Sequence, residues 1–435
     1  MRIAVVGSGI SGLASAWLLR KRHQVTLLEA DSRFGGHTHT VDVHHEGITA
    51  PVDTGFLVCN DWTYPNLLGL FAELGVETVA SNMSFSVRLP ALGLEWGGTS
   101  LNSLFAQRRN LTRPAFYVML RDILRFNRDA KAWLRHGQED ISLGAFLERG
   151  GYGAWLRDAY LLPMVAAIWS CPMRQMEEYP ARSIIQFCEN HGLLNVLRRP
   201  QWRTVRGGGK TYVERILADL ADTRCQHPVQ ALEPTGNSVR VYSKLGAEDF
   251  DAVICAVHSD QAAALLGSHW GLQRMALKAI RYQPNRAVLH RDRSFLPRRR
   301  SAWSAWNFHH EGSSGADLPV AVSYLINHLQ PLPFRDPVMV TLNPEREPDP
   351  DLVWQEISYA HPVFDTAALH AQVSLHALQG QGGLYFAGAW LGHGFHEDGM
   401  RSAVAVANAF GVRAPWQEPS VQTQEEPILW PQTAT

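Results

Sequence analysis

The first forty residues constrain this chain more than any other stretch. MRIAVVGSGISGLASAWLLRKRHQVTLLEADSRFGGHTHT reads as strand, glycine turn, helix, second strand, acid and glycine pair. Arg2 to Val6 is a short apolar run with β-branched residues, suited to a buried parallel strand. Gly7, Gly9 and Gly12 follow at G-x-G-x-x-G spacing. The first glycine lets the strand turn sharply, the second lets backbone approach a pyrophosphate, and the third lets the helix pack on the strand. The spacing predicts that helix over roughly residues 10–21, its free N–H groups and dipole aimed at the pyrophosphate.

Glycines cluster in turns by chance, so the motif counts only in context. A strand precedes it, Ala14 and Leu18 mark a packed helix face, and a second strand, Gln24 to Leu28, ends in Glu29. An acid about twenty residues past the first glycine is where a ribose hydroxyl pair is held. A carboxylate there suits an unphosphorylated adenosine ribose, hence FAD or NAD rather than NADP. The competing reading is a plain βαβ unit with no ligand.

At 435 residues the chain exceeds what one core usually holds, so two domains are expected. A formal net charge of −1 gives no reason to expect nucleic acid. The local basic clusters, Arg108-Arg109 and Arg298 to Arg300, read first as solvated loops, with contact to anionic headgroups as the alternative. Five cysteines lack C-x-x-C spacing, which argues against a disulfide framework and for a reducing compartment. The histidines form no HExxH pair, so no metal is expected. The first strand begins at residue 2 and no apolar run is long enough to span a bilayer. The expected location is therefore cytoplasmic, with peripheral contact at the inner membrane face as an option.

Further along, Gly35-Gly36 suggests backbone lying close to something. Val41 to Val43 and GITAPVDTGFLV alternate like strands, with Gly55 and Phe56 just after Asp53. Residues 65–75 are helical in pattern, and 85–96 strand-like but broken by Pro90. Residues 100–200 form a helical insertion. Its helix from Ala115 to His136 carries Arg121, Arg125, Arg128 and Lys131 on a polar side; it suits either packing or a membrane surface. Further helices are expected over 152–170 and 184–194. TVRGGGKTYV opens another helix, and residues 228–257 read as a three-strand meander ending in the buried DAVICAV. Runs at 285–290, 302–308, 320–329 and 338–342 read as a largely antiparallel sheet. Trp303, Trp306, Phe308 and Tyr324 crowd it, as core or as the wall of an apolar pocket. A strand over 384–387, GAWLGHGFHEDG and a small-residue helix over 400–410 close the fold. Residues after Val412 read as a mobile tail. The expected division is 1–80, 205–275 and 375–412 for dinucleotide binding, 81–204 and 276–374 for substrate, and 413–435 for the tail.

These features together resemble the flavin amine oxidase and phytoene desaturase superfamily over nearly the whole chain. The phrases NRAVLHRD, LPRRRSAWSAWNF, VTLNP, HPVFD, CAVHSDQA and AGAWLGHGFHEDGMRSA are similar to one bacterial subgroup. Genes of that subgroup often sit beside cyclopropane-fatty-acid synthase-like methyltransferases. Some members are implicated in desaturating methyl-branched acyl chains on the way to furan fatty acids. The resemblance implies an α/β (α+β) fold: a Rossmann-like FAD-binding domain of glutathione-reductase type with an inserted substrate domain of antiparallel sheet plus helices. It also implies FAD as cofactor. Gly7, Ser8, Gly9, Ile10, Ser11 and Gly12 would cradle the pyrophosphate, and Glu29 with Ala30 would hold the ribose. Gly35, Gly36 and His37 would lie near the diphosphate, where many relatives carry arginine after the glycine pair. Gly55 and Phe56 would approach the flavin, Val229 would offer backbone to adenine, and Gly388 would pass the ribityl chain. The acid usual after that glycine is Ala389 here. Asp398, Gly399 and Met400 would open the final helix toward the flavin pyrimidine, where a helix N-terminus favours negative charge by about 0.3–1 kcal/mol.

The reaction this implies is hydride removal from a carbon of an apolar or lipid substrate, such as a methyl-branched unsaturated fatty acyl chain. His396, His393 and Glu397, expected in the loop beside the flavin, are the candidates to take a proton; the alternative is that they only hold the loop. Two rival readings stand. One is an amine oxidase, with Trp390 and Phe395 contributing to a cage for the cation. The other is a non-catalytic flavoprotein partner of a methyltransferase.

Overall fold

The computed structural model describes residues 1–136, 141–312 and 321–417. A five-stranded parallel sheet is its foundation, in the order Asp222–Arg224, Gln24–Leu28, Arg2–Val6, Ala252–Cys255, Leu384–Phe386. The three strands from the ends and middle of the chain that complete it are short apolar runs buried on both faces, as parallel strands must be. Ile3 and Val5 point to one core, Ala4 and Val6 to another. The strand order reverses beside Arg2–Val6, which opens a crevice at the carboxyl ends of Arg2–Val6 and Ala252–Cys255.

The opening helix runs Ile10–Leu19, two residues shorter than its apolar pattern suggests, because Arg20 to His23 turn back toward the second strand. The meander is Val229–Thr235, Ser238–Ser243 and Gly246–Phe250. DAVICAV is therefore not its third strand. The polar, glycine-led Gly246–Phe250 takes that place, and Ala252–Cys255 leaves for the parallel sheet.

A seven-stranded sheet forms the second layer, from Val353–Pro362 through Tyr282–His290, Met339–Leu342, Val322–Leu325 and Trp306–His309 to Phe85–Leu89 and Leu94–Gly97. Its pairings are antiparallel except between Trp306–His309 and Phe85–Leu89. Position 320, in the run expected as strand, lies outside the described residues. The sheet shares the largest core with helices Pro114–His136, Leu162–Trp169 and Ala181–Asn190, and with the hairpin residues Val43, Ala50 and Val52.

The closing helix is His396–Ala409 and starts four residues before Met400. Residues 413–417 depart from the expected tail. Trp416 stacks on Trp17 with centroids 6.3 Å apart, and its Nε1 donates to Asn66 Oδ1 at 3.0 Å. Residues 418–435 lie outside the described residues. No helix among the described residues is long and apolar enough to cross a membrane.

Candidate active site

The crevice is built first from the glycine turn. Gly7 has φ +100°, and a Cβ there would stand 2.8 Å from the Ala256 carbonyl oxygen. A Cβ built on Gly9 would meet no atom within 4 Å among the described residues, so the turn is open on that side. Gly36 closes against Gly9 from across the crevice; a Cβ on it would be 3.0 Å from Gly9 Cα. Ser8 ties the parts together. Its N–H donates to Glu29 Oε2 at 2.9 Å, its Oγ donates to the same oxygen, and Gly35 N–H donates to Ser8 Oγ at 3.0 Å. The His227 N–H donates to Glu29 O at 2.7 Å, so the strand beginning at Val229 starts beside Glu29, next to the exposed Ala30. Ile10 and Ser11 are buried; their side chains face Gly399 of the closing helix.

Several residues differ from their expected roles. His396 and Glu397 are not in a loop but form the first turn of the closing helix, together with Asp398. Their backbone N–H groups precede the first intrahelical bond, Gly399 N–H to Phe395 O at 3.1 Å, and remain available to a ligand. Gly399 and Met400 therefore do not open the helix. Gly399 is where it presses on the opening helix, since a Cβ would be 2.8 Å from Ile10 Cγ2 and Ser11 Oγ, and Met400 is core. The Asp398 carboxylate accepts the Phe395 N–H at 3.0 Å and pairs with Arg401, so it caps its own helix rather than offering itself to a cofactor. Glu397 caps another helix, Pro65–Glu73. It accepts Asn66 N–H at 3.1 Å, Asn66 Nδ2 at 2.7 Å and Leu67 N–H at 3.0 Å. Burial raises its pKa while these bonds oppose the rise. With its acceptors occupied it is a structural cap, not a proton acceptor. Trp390 is buried and donates through Nε1 to Val257 O at 3.0 Å, which removes it from any cage. Gly388 sits against that indole and donates its N–H to Ser402 Oγ at 2.9 Å.

Around Phe56 the protein packs tightly. A Cβ on Gly55 would stand 2.1 Å from His37 O, and Phe56 N–H donates to that oxygen at 2.9 Å. The His396 ring stacks on Phe56, centroids 3.8 Å apart at 17°, and its Nε2 meets Thr38 Oγ1 at 3.0 Å and Tyr212 OH at 3.4 Å. Burial pushes the His396 pKa down to about 3. The ring is neutral at physiological pH and holds its place rather than a proton. Asp53, just before this turn, accepts Gly209 N–H at 2.9 Å and Gln330 Nε2 at 2.7 Å, and burial raises it to about 6. The GGGK stretch thus brings the Gly209 N–H close enough to donate to the Asp53 carboxylate.

His37 does not stand as a cation by the diphosphate. Its ring lies 4.9 Å from Tyr359, 5.3 Å from His361 and 5.9 Å from His258, centroid to centroid. Burial first, then the neighbouring histidines, hold its pKa well below the usual value. Its Nε2 is buried without a hydrogen-bond partner, an orphan of the kind a ligand satisfies. The permanent cation beside the glycine pair is Arg33, donating to Gly36 O at 2.7 Å. His361 Nδ1 lies 3.1 Å from Asn285 Nδ2, which makes Nδ1 the acceptor and leaves the proton on Nε2; burial lowers this ring to about 4. His258 stacks on Tyr282 at 4.4 Å. Sequence reasoning missed His258, Tyr359 and His361. For His258 a signal existed, since it closely follows a buried strand, where α/β ligands bind.

Phe395 leads outward into an aromatic wall built by the helical insertion. Phe187 lies 4.8 Å from Phe395 and 4.7 Å from Trp169, and His191 stacks on Phe187 at 3.9 Å. His393 meets Phe187 edge-on at 6.3 Å; burial lowers its pKa, partly offset by Asp398. Of the sheet aromatics, Trp306 and Tyr324 pack edge to face at 4.9 Å. Trp303 does not join them: it lies in a separate small core, and its Nε1 donates to Pro297 O at 2.8 Å. His45, Glu46 and Asp336 bring ligand atoms within 4.8 Å of one another, but Glu46 accepts the Arg335 and Asp336 N–H groups and Asp336 pairs with Arg293.

An open glycine turn, a ribose-side acid, a helix N-terminus with free N–H groups and an orphaned imidazole nitrogen converge on one crevice. They fit a flavin dinucleotide, and with the two-layer architecture they define an FAD-dependent oxidoreductase. The profile of the family described as flavin containing amine oxidoreductase matches residues 10–343, and the chain belongs to that family. No curated protein sequence matches it. Among solved structures, it is similar to a CLA-producing fatty acid isomerase from P. acnes, at 13% identity and TM-score 0.69, over 94% of this chain and 98% of that one. It is also similar to putrescine oxidase bound to putrescine, at 15% identity and TM-score 0.63, over 95% and 100%. A third is cyclohexylamine oxidase from Brevibacterium oxydans, at 15% identity and TM-score 0.64, over 94% and 99%. At these identities the likeness is one of fold.

Proposed function

We propose that the protein removes a hydride from a carbon of an apolar substrate, a methyl-branched unsaturated fatty acyl chain being the class that fits best. FAD in the crevice supplies the hydride acceptor. The Gly7–Gly12 turn, Arg33, Glu29 and the free N–H groups of His396 to Asp398 would hold it. Trp169, Phe187, His191 and Phe395 would bind the substrate and exclude water.

One observation carries the choice of an apolar substrate: both acids beside the aromatic wall, Glu397 and Asp398, are consumed as helix caps. An amine substrate needs a carboxylate or an open aromatic cage. Phe187 and Phe395 touch each other at 25° and leave no slot between them for a cation. The CLA-producing isomerase among the structural neighbours is named for a fatty acid, which agrees with this reading. The test is anaerobic bleaching of the bound flavin by a panel of branched unsaturated acyl lipids and polyamines. Bleaching by the lipids is expected; bleaching by polyamines alone, or by no member, overturns the proposal.

A further inference from the structure

The helical insertion carries a concentrated positive charge. Between Arg108 and Arg135 stand eight arginines and lysines and two acids, in a chain of formal net charge −1. Both acids are engaged locally. Asp122 is buried beside Arg121 and Arg125 and accepts the Gly153 N–H, while Asp129 pairs with Arg128 and accepts from Tyr152. The helix Pro114–His136 buries Phe116, Met119, Phe126 and Ala130. Its opposite stripe, Tyr117, Arg121, Leu124 and Arg128, recurs at spacings that share one face and looks into solvent. Leu124 is 58% exposed where a water-facing helix would ordinarily carry a polar residue.

A second exposed segment adjoins this one. Lys131 Nζ donates to Asn195 Oδ1, which brings the loop after helix Ala181–Asn190 against the long helix. In that loop Val196 and Leu197 are 64% and 80% exposed, and Arg198 and Arg199 follow directly. The loop leaves its helix at His191, the residue stacked on Phe187 in the aromatic wall. The surface therefore adjoins that aromatic cluster.

We infer that this face docks the protein on an anionic lipid bilayer. Leu124, Val196 and Leu197 enter the boundary between headgroups and acyl chains, and Arg128, Arg198 and Arg199 meet lipid phosphates. Charge complementarity selects an anionic partner. The exposed apolar side chains between the arginines select a bilayer over a nucleic acid or an acidic protein, neither of which would take Leu197 out of water. The inference stands on the surface alone and holds whichever apolar substrate is turned over.

The test is sedimentation of the FAD-loaded protein with vesicles of phosphatidylcholine alone and with about a third phosphatidylglycerol. Strong binding to the anionic vesicles is expected, weakened by salt, and at least about tenfold less to the neutral ones. Arg128→Glu/Arg198→Glu/Arg199→Glu is expected to lower anionic-vesicle binding by about tenfold or more. Val196→Ser/Leu197→Ser is expected to lower it at every salt concentration. Flavin absorbance and melting temperature check that both variants are folded. Equal binding to the two vesicles, no binding to either, or wild-type binding by both variants overturns the inference. So does duplex DNA that binds wild type and Val196→Ser/Leu197→Ser equally and displaces both from vesicles.

Discussion

A methyl group built on Gly12 would stand 1.9 Å from the Gly7 carbonyl oxygen and 3.1 Å from Ala256 Cβ. No side chain can yield there, so Gly12→Ala should cost the apoprotein roughly 3 kcal/mol or more, read from a denaturant melt. His396 makes a different kind of prediction. With its pKa near 3, His396 has no titration to contribute between pH 5 and 9. His396→Gln keeps a hydrogen-bonding group toward Thr38 and is expected to leave the pH profile of flavin reduction unchanged in shape while slowing it through lost stacking on Phe56. Disappearance of a limb near neutral pH in the variant would make His396 a base after all. Single residues were legible where backbone geometry demanded glycine. They were not legible where the role depends on partners: nothing in the spacing of His37, His258 and His361 says that a turn, a helix N-cap and a strand end bring them together.

At the scale of elements, the closing helix shows what the sequence withheld. Glycines on both sides of FHED made the segment read as loop, although acids in a first turn are themselves a helix-start signal. Moving the start back to His396 changes the meaning of two carboxylates, since each becomes a cap. Glu397→Gln retains one acceptor for the Asn66 and Leu67 N–H groups and should reduce flavin at close to the wild-type rate. Glu397→Ala strips the cap from Pro65–Glu73 and should cost about 1–3 kcal/mol. A melt and a single-turnover reduction on both variants check this; loss of reduction in Glu397→Gln with an unchanged melt would restore a catalytic Glu397. Strands and the long amphipathic helix were readable because burial imposes their periods directly. The displaced third strand of the meander was not, because Gly246–Phe250 is largely exposed and has no apolar alternation to reveal it.

Across the whole molecule, burial keeps a set of imidazoles neutral. His39, His191, His290 and His361 are lowered to about 4 and His396 to about 3. The unfolded chain takes up these protons first, near pH 6.5, so stability is intact above that pH and is lost as pH falls toward 4. Asp53, raised to about 6, and Glu397 and His310, also raised, act in the opposite sense, but the lowered histidines outnumber them. Denaturant midpoints of the apoprotein should therefore fall steadily from pH 7 to about 4.5; a flat profile would mean the histidines are hydrated. The fold itself followed from its two ends, whose glycine turn and closing strand–helix must meet on one parallel sheet. The central claim is that their meeting place takes one flavin dinucleotide with Gly9 facing it. The most direct measurement is an FAD titration of apoprotein, wild type and Gly9→Val, followed by tryptophan fluorescence. The account predicts saturation at about one FAD per wild-type chain, and a Gly9→Val variant that melts like wild type but binds at least about tenfold more weakly. Equal affinity in the two proteins, or no binding to the wild type, would contradict it.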